Sequence, residues 1–141
     1  MSKISLLVVE DHEVYSSVLR DLLNKDDNLQ IVRVVPTAEE ALGLLDNFRV
    51  DLVLIDIGLP RIDGITLAQL IRDKNATIPC LMISGYLSQD YLQKSIKAGA
   101  RGYLLKDNYS DILEGIWNVI NGGTYFSKEL GQVYLDSPQS E

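Results

Sequence analysis

Five short apolar runs mark the chain: Ile4 to Val9, Leu29 to Val35, Val50 to Ile55, Ile78 to Ser84 and Arg101 to Leu105. Their length and bounding turn residues predict buried strands. Between them the apolar period changes to that of a helix. Val14, Val18 and Leu22 with Leu19 and Leu23 form one stripe, and Thr37-Ala38-Glu39-Glu40 reads as a capping box opening a helix through Ala41, Leu44 and Leu45. Ile65, Leu67, Ala68, Leu70 and Ile71 form a third helix; Ser88 caps a fourth through Tyr91, Leu92, Ile96 and Lys97, which Gly99 ends. A fifth runs from near Ser110 to Gly122-Gly123. Strict alternation predicts an α/β fold, because parallel strands need crossover helices, which then cover both faces of the sheet.

The apolar members of the fifth helix, Ile112, Leu113, Ile116, Trp117, Val119 and Ile120, span about 160° at 3.6 residues per turn. The excess falls on Leu113 and Trp117. Burial beneath a neighbouring helix is the default for both; the alternative is a partner-binding patch, which makes them interface candidates. Residues 1–123 are expected to form one domain, and 124–141, which lack a sustained period, a C-terminal tail or linker stub.

A chain of 141 residues with 46% hydrophobic and 23% charged residues can bury a core without staples. A net charge of −7 disfavours nucleic acid or an anionic membrane as a direct partner. The single cysteine, Cys80, excludes an intrachain disulfide and a Cys-based metal site. The first apolar run ends in acid, unlike a secretory signal, and no stretch approaches a membrane span, so a cytoplasmic location is expected. The Asn75-Ala76-Thr77 and Asn108-Tyr109-Ser110 glycosylation patterns are then chance matches.

The strand ends carry the chemistry. Glu10-Asp11 follows the first run, Asp56 closes the third, Ser84 the fourth, and Lys106 follows the fifth. In open α/β sheets, carboxyl ends of strands face the ligand crevice. Three carboxylates converging there need a cation, and oxygen-only ligands point to Mg²⁺ or Mn²⁺. A carboxylate nucleophile, a cation site, a hydroxyl and an ammonium are the groups that phosphoryl transfer onto Asp56 requires.

Together, Glu10-Asp11, Asp56-Ile57-Gly58-Leu59-Pro60-Arg61-Ile62-Asp63-Gly64, Ser84-Gly85 and Gly102-Tyr103-Leu104-Leu105-Lys106 resemble the receiver domain of two-component response regulators, from about Lys3 to Gly123. Asp11-His12 and the Gly-Tyr-Leu-Leu-Lys run are most similar to the subfamily that usually carries a C-terminal LuxR-type helix-turn-helix. The resemblance implies a flavodoxin-like doubly wound parallel sheet of order 2-1-3-4-5, with Asp56 as phosphoacceptor. It implies Mg²⁺ held by Asp11, Asp56 and the Gly58 backbone carbonyl, with Glu10 acting through water. Ser84 and Lys106 would contact the phosphoryl group, and Tyr103 would be an aromatic switch that turns inward as Ser84 moves. The implied partner is a histidine kinase or phosphotransfer protein, and the implied output is transcriptional, through a DNA-binding domain absent from this chain.

Glu10 replaces the family's more frequent Asp, Ser84 the more frequent Thr, and Asp107 the Pro that often follows the lysine; no required group is lost. Gly58 and Tyr86 occupy positions that tune phosphoryl loss in the family. Two other functions are open. An aspartyl-nucleophile phosphatase is disfavoured because Gly58 stands where a second carboxylate would act as general acid. A phosphorylation-independent interaction module is the other. A phosphorylation-promoted homodimer near Leu113 and Trp117 is expected. His12 is expected to be exposed and outside the chemistry, Asp63-Gly64 to be a turn, and Asp11 could cap the first helix.

Overall fold

Strand and helix alternate as the apolar pattern predicts, in a computed structural model that describes residues 3–75, 77–86 and 88–126. The order is β1 (Ile4–Val9), α1 (Glu13–Leu23), β2 (Leu29–Val35), α2 (Ala38–Leu45), β3 (Leu52–Asp56), α3 (Gly64–Lys74), β4 (Cys80–Ser84), α4 (Gln89–Lys97), β5 (Gly102–Leu105), α5 (Tyr109–Ile120) and β6 (Tyr125–Phe126). All strands are parallel, in the order β2-β1-β3-β4-β5-β6. This is the flavodoxin-like sheet expected, with one strand added at its edge. The order reverses between β1 and β3, which opens a crevice beyond their carboxyl ends.

Strand alternation divides the core into two layers. Leu7, Val9, Val53, Ile55, Met82 and Tyr103 pack with α2, α3 and α4. Leu6, Val8, Leu54, Leu81, Ile83 and Leu104 pack with α1 and α5. The same alternation sends Glu10 and Asp56, each following a residue of the first layer, towards the α1/α5 side. Ser84, two residues beyond Met82, falls on the side of Tyr103.

Helix starts follow local polar chemistry. Thr37 accepts from the Glu40 amide (3.2 Å) and Ser88 from the Tyr91 amide (3.1 Å), as predicted. Asp63 does more than turn the chain: it caps α3, accepting from the Thr66 amide at 2.8 Å. Asp11 does not cap α1; His12 holds that position, without a side-chain bond to the helix amides.

Two elements differ from expectation. Val14 is 81% exposed, and Tyr15 instead begins the inward stripe of α1 with Leu19, Leu22 and Leu23. Beyond Gly123 the ordered sheet continues through β6, where the Tyr125 amide donates to the Arg101 carbonyl (2.9 Å). That approach requires Gly102, since a Cβ there would collide with the Tyr125 carbonyl oxygen. Tyr125 then lies against Gly115 and donates to Asp111 (3.1 Å). The rest of the expected tail, 127–141, lies outside the described residues.

Candidate functional site

Glu10 and Asp56 leave neighbouring strands at the crevice, and both are buried, at 2% and 3% exposure. Buried carboxylates require partners. Lys106, delivered by the end of β5, supplies one for both: its Nζ is 3.0 Å from Glu10 Oε1 and 3.2 Å from Asp56 Oδ2. Glu10 Oε1 accepts no hydrogen bond among the described residues, so this contact is an ion pair only. Asp56 Oδ1 accepts from the Gly58 amide (3.1 Å), which fixes the carboxylate at the start of the β3–α3 loop. Asp11 is exposed at the rim.

Ligand atoms of Glu10, Asp11, His12 and Asp56 all lie within 4.8 Å of one another. Three carboxylates against one ammonium leave the cluster negative, and burial followed by the Glu10 charge holds the Asp56 carboxyl above its usual range. This hard, oxygen-rich set, with a buried Glu10 oxygen that accepts no hydrogen bond among the described residues, fits a small divalent cation. His12 Nδ1 is 2.8 Å from Glu10 Oε2 and 3.5 Å from Lys106 Nζ, so it borders the cluster although its ring is largely exposed.

Ser84 and Gly58 line the same cleft of about 230 Å³ with Asp56, Tyr86, Tyr91 and Lys106. The Ser84 hydroxyl donates to the Tyr86 carbonyl (3.1 Å), while its carbonyl accepts from the Lys106 amide (2.8 Å). Tyr103 is fully buried, and its hydroxyl makes no hydrogen bond among the described residues. Ser84 is near enough to affect its ionisation, but the serine proton is directed elsewhere; burial pushes the phenol up from its usual value. Leu113 and Trp117 lie away from this cleft, half-buried on the α1/α5 layer, with the indole Nε1 donating to Asp26 (2.7 Å).

Sequence reasoning missed Tyr15 and set His12 aside. Tyr15 donates to the Lys106 carbonyl at 2.5 Å, and Lys106 Nζ stands 4.9 Å from its ring centroid. The only local signal for either residue was its place just after the acidic pair.

The family model described as the response regulator receiver domain matches residues 6–116. The chain belongs to this family. The receiver domain is 31% identical over 128 residues to the transcriptional regulatory protein DesR of Bacillus subtilis, covering 90% of this chain and 63% of DesR. It is 32% identical over 126 residues to the transcriptional regulatory protein MctR of Rhizobium johnstonii, covering 89% of this chain and 59% of MctR. The chain thus spans less than two thirds of these relatives. A CheY-like receiver domain protein from Methanospirillum hungatei superposes with a TM-score of 0.77 at 27% identity, over 85% of this chain and 95% of that one. A LuxR-family response regulator from Aurantimonas shares the fold with a TM-score of 0.89 at 24% identity, over 93% and 94% of the two chains. Among the described residues, no helix is long and apolar enough to cross a membrane.

One stability consequence follows from the receiver's crowded carboxylates. The folded-state pKa of Asp56 is raised, so ionising it opposes folding: the penalty is complete above that pKa, shrinks as pH falls below it, and is gone below the ordinary carboxylate pKa of the unfolded chain. In metal-free buffer at neutral pH, Asp56→Asn is therefore expected to melt a few degrees above wild type, and the gap should close as pH falls. Thermal melts from pH 4 to 8 check this; a variant less stable than wild type at pH 7 contradicts it.

Proposed function

We propose that this receiver domain accepts a phosphoryl group on Asp56 from a histidine kinase or phosphotransfer protein, with Mg²⁺ bound. The observation carrying this reading is the buried Asp56 carboxylate, ion-paired with Lys106, inside a cluster holding two more carboxylates. Asp11, Asp56 and the Gly58 carbonyl would hold the cation directly, with Glu10 acting through water; Mn²⁺ would serve the same ligands. The bound ion supplies charge neutralisation for the phosphoryl oxygens.

An Asp56 oxygen attacks phosphorus, the O–P bond forms as the donor's N–P bond breaks, and the electron pair returns to the donor imidazole. Lys106 moves from the carboxylates to a phosphoryl oxygen. The Ser84 hydroxyl gives up the Tyr86 carbonyl to donate to another, and Tyr103, packed behind Ser84 on its face of the sheet, reads that movement as the aromatic switch. The modification biases an equilibrium between surface states, and the chain catalyses at most its own phosphorylation and dephosphorylation.

The names of DesR and MctR support a transcriptional output exerted through a DNA-binding domain outside these residues, in the cytoplasm, with no direct nucleic-acid contact by this segment. A phosphorylation-promoted homodimer near Leu113 and Trp117 completes the reading. Light scattering should show a doubled mass with a phosphoryl mimic; an unchanged monomer in both states removes the dimer.

Incubation with acetyl phosphate and Mg²⁺ should add one phosphoryl mass, chelator should prevent it, and Asp56→Ala should lose it. Undiminished uptake by Asp56→Ala contradicts the assignment. A phosphorylation-independent interaction module is the second reading, in which the fully buried Tyr103 stays where it is and no switch is thrown. Natural-partner binding by Asp56→Ala as tight as that of phosphorylated wild type would support it.

A further inference from the structure

Lys106 has to hold a defined position between two carboxylates and then deliver its ammonium to a phosphoryl oxygen. A lysine side chain does not define such a position unaided, because its stem rotates freely and its charge is compact. Two backbone contacts fix its root. The Lys106 amide donates to the Ser84 carbonyl on β4, and the Lys106 carbonyl accepts from the Tyr15 hydroxyl on α1, 91 residues away in sequence. Without the second bond, the peptide leading into the β5–α5 loop would be anchored on one side only.

Tyr15 also contacts the other end of the same side chain. Its ring lies 4.9 Å from Nζ, so the π face bounds the ammonium's path on the α1 side while Glu10 and Asp56 hold it from the sheet side. The phenol is half-buried and held protonated: burial first, then the neighbouring Tyr109, Glu10 and Asp56 charges, push its pKa up, so it remains a donor across the working pH range. Alternation has already sent Glu10 and Asp56 to the α1 side of the sheet, and Tyr15 is the first inward residue of that helix.

We infer that Tyr15 is a positioning residue for phosphoryl transfer, holding the Lys106 backbone with its hydroxyl and the Lys106 ammonium with its ring. This rests on the assignment of Asp56 and Lys106 above. The two contacts separate by substitution. Tyr15→Phe keeps the ring and loses the hydroxyl bond; Tyr15→Leu loses both.

The test is the rate of phosphoryl uptake from acetyl phosphate at saturating Mg²⁺, measured in wild type and in a Lys106→Met background. Tyr15→Phe should be slower by about fivefold, the worth of one hydrogen bond, and Tyr15→Leu slower still, with the Mg²⁺ dependence unchanged in both. In the Lys106→Met background neither substitution should slow uptake further, because the group being positioned is gone. Equal slowing in both backgrounds, or a slowing that only tracks a lowered Tm, would show a merely structural tyrosine and overturn the inference. Wild-type rates in both Tyr15 variants overturn it while leaving the Asp56 assignment intact. No uptake by wild type itself overturns both.

Discussion

Lys106→Met is expected to lose about 3–5 kcal/mol of stability in metal-free buffer at pH 7 and to slow phosphoryl uptake by roughly a hundredfold or more. The two losses have different origins. Lys106 Nζ is the shared partner of Glu10 and Asp56, both nearly inaccessible to water, so removing it leaves two neighbouring buried carboxylates without their permanent counter-charge, with only the His12 ring beside them. The catalytic loss would follow from removing the ammonium proposed to meet charge on the transferred phosphoryl group. Because the stability term is electrostatic, Mg²⁺ should restore part of it by replacing the lost cation. It should not restore the rate, since the ion cannot take the lysine's place on the phosphoryl oxygen. Melts with and without Mg²⁺, alongside uptake kinetics, separate the two. A Lys106→Met variant as stable as wild type in metal-free buffer would mean that the cluster is not electrostatically strained.

Gly64→Ala is expected to be the most disruptive single-methyl change at the site. Gly64 opens α3 directly over the end of β3. A Cβ there would run into the Asp56 carbonyl oxygen and would lie 2.8 Å from Ile55 Cγ2. Neither obstacle is a flexible side-chain end: one is strand backbone, the other a buried branch of the core. The Gly64 amide also donates to the Ile57 carbonyl (2.9 Å), so the helix cannot withdraw without breaking the loop that positions Asp56. Overpacking at a rigid contact costs about 1–3 kcal/mol and occasionally more; this one should fall at the upper end. Phosphoryl uptake should drop with it, because the displaced backbone belongs to Asp56. Denaturant melts with uptake assays check both. Full activity at unchanged stability would mean that the loop has slack this geometry does not contain.

What the sequence revealed, and what it hid, follows from the range of the interactions. Asp56, Glu10, Ser84 and Lys106 were legible because each ends an apolar strand, and a strand's end is a local property. Thr37 and Ser88 were legible as caps for the same reason. Val14 was misplaced because periodicity gives the width of a stripe more reliably than its first member; the inward phase begins one residue later, at Tyr15. β4 starts at Cys80, after Pro79, which has no N–H for a ladder. β6 could not be read from Tyr125–Phe126, since two residues carry no alternation. Its existence depends on space left by Gly102 and Gly115, far back in the chain. Tyr15 was hidden for the same reason, as its partner, Lys106, lies across the fold just after β5. His12 looked like a loop residue and is largely exposed, yet the turn that exposes its ring brings Nδ1 against Glu10.

One carboxylate of the three in the acidic cluster, Asp56, is proposed to receive the phosphoryl group. Borohydride reduces an aspartyl phosphate to homoserine and leaves free carboxylates untouched. After incubation with acetyl phosphate and Mg²⁺, borohydride trapping and peptide mass spectrometry should find homoserine at position 56 and nowhere else. Homoserine at position 11, or none anywhere in protein that has gained a phosphoryl mass, would contradict the assignment of Asp56.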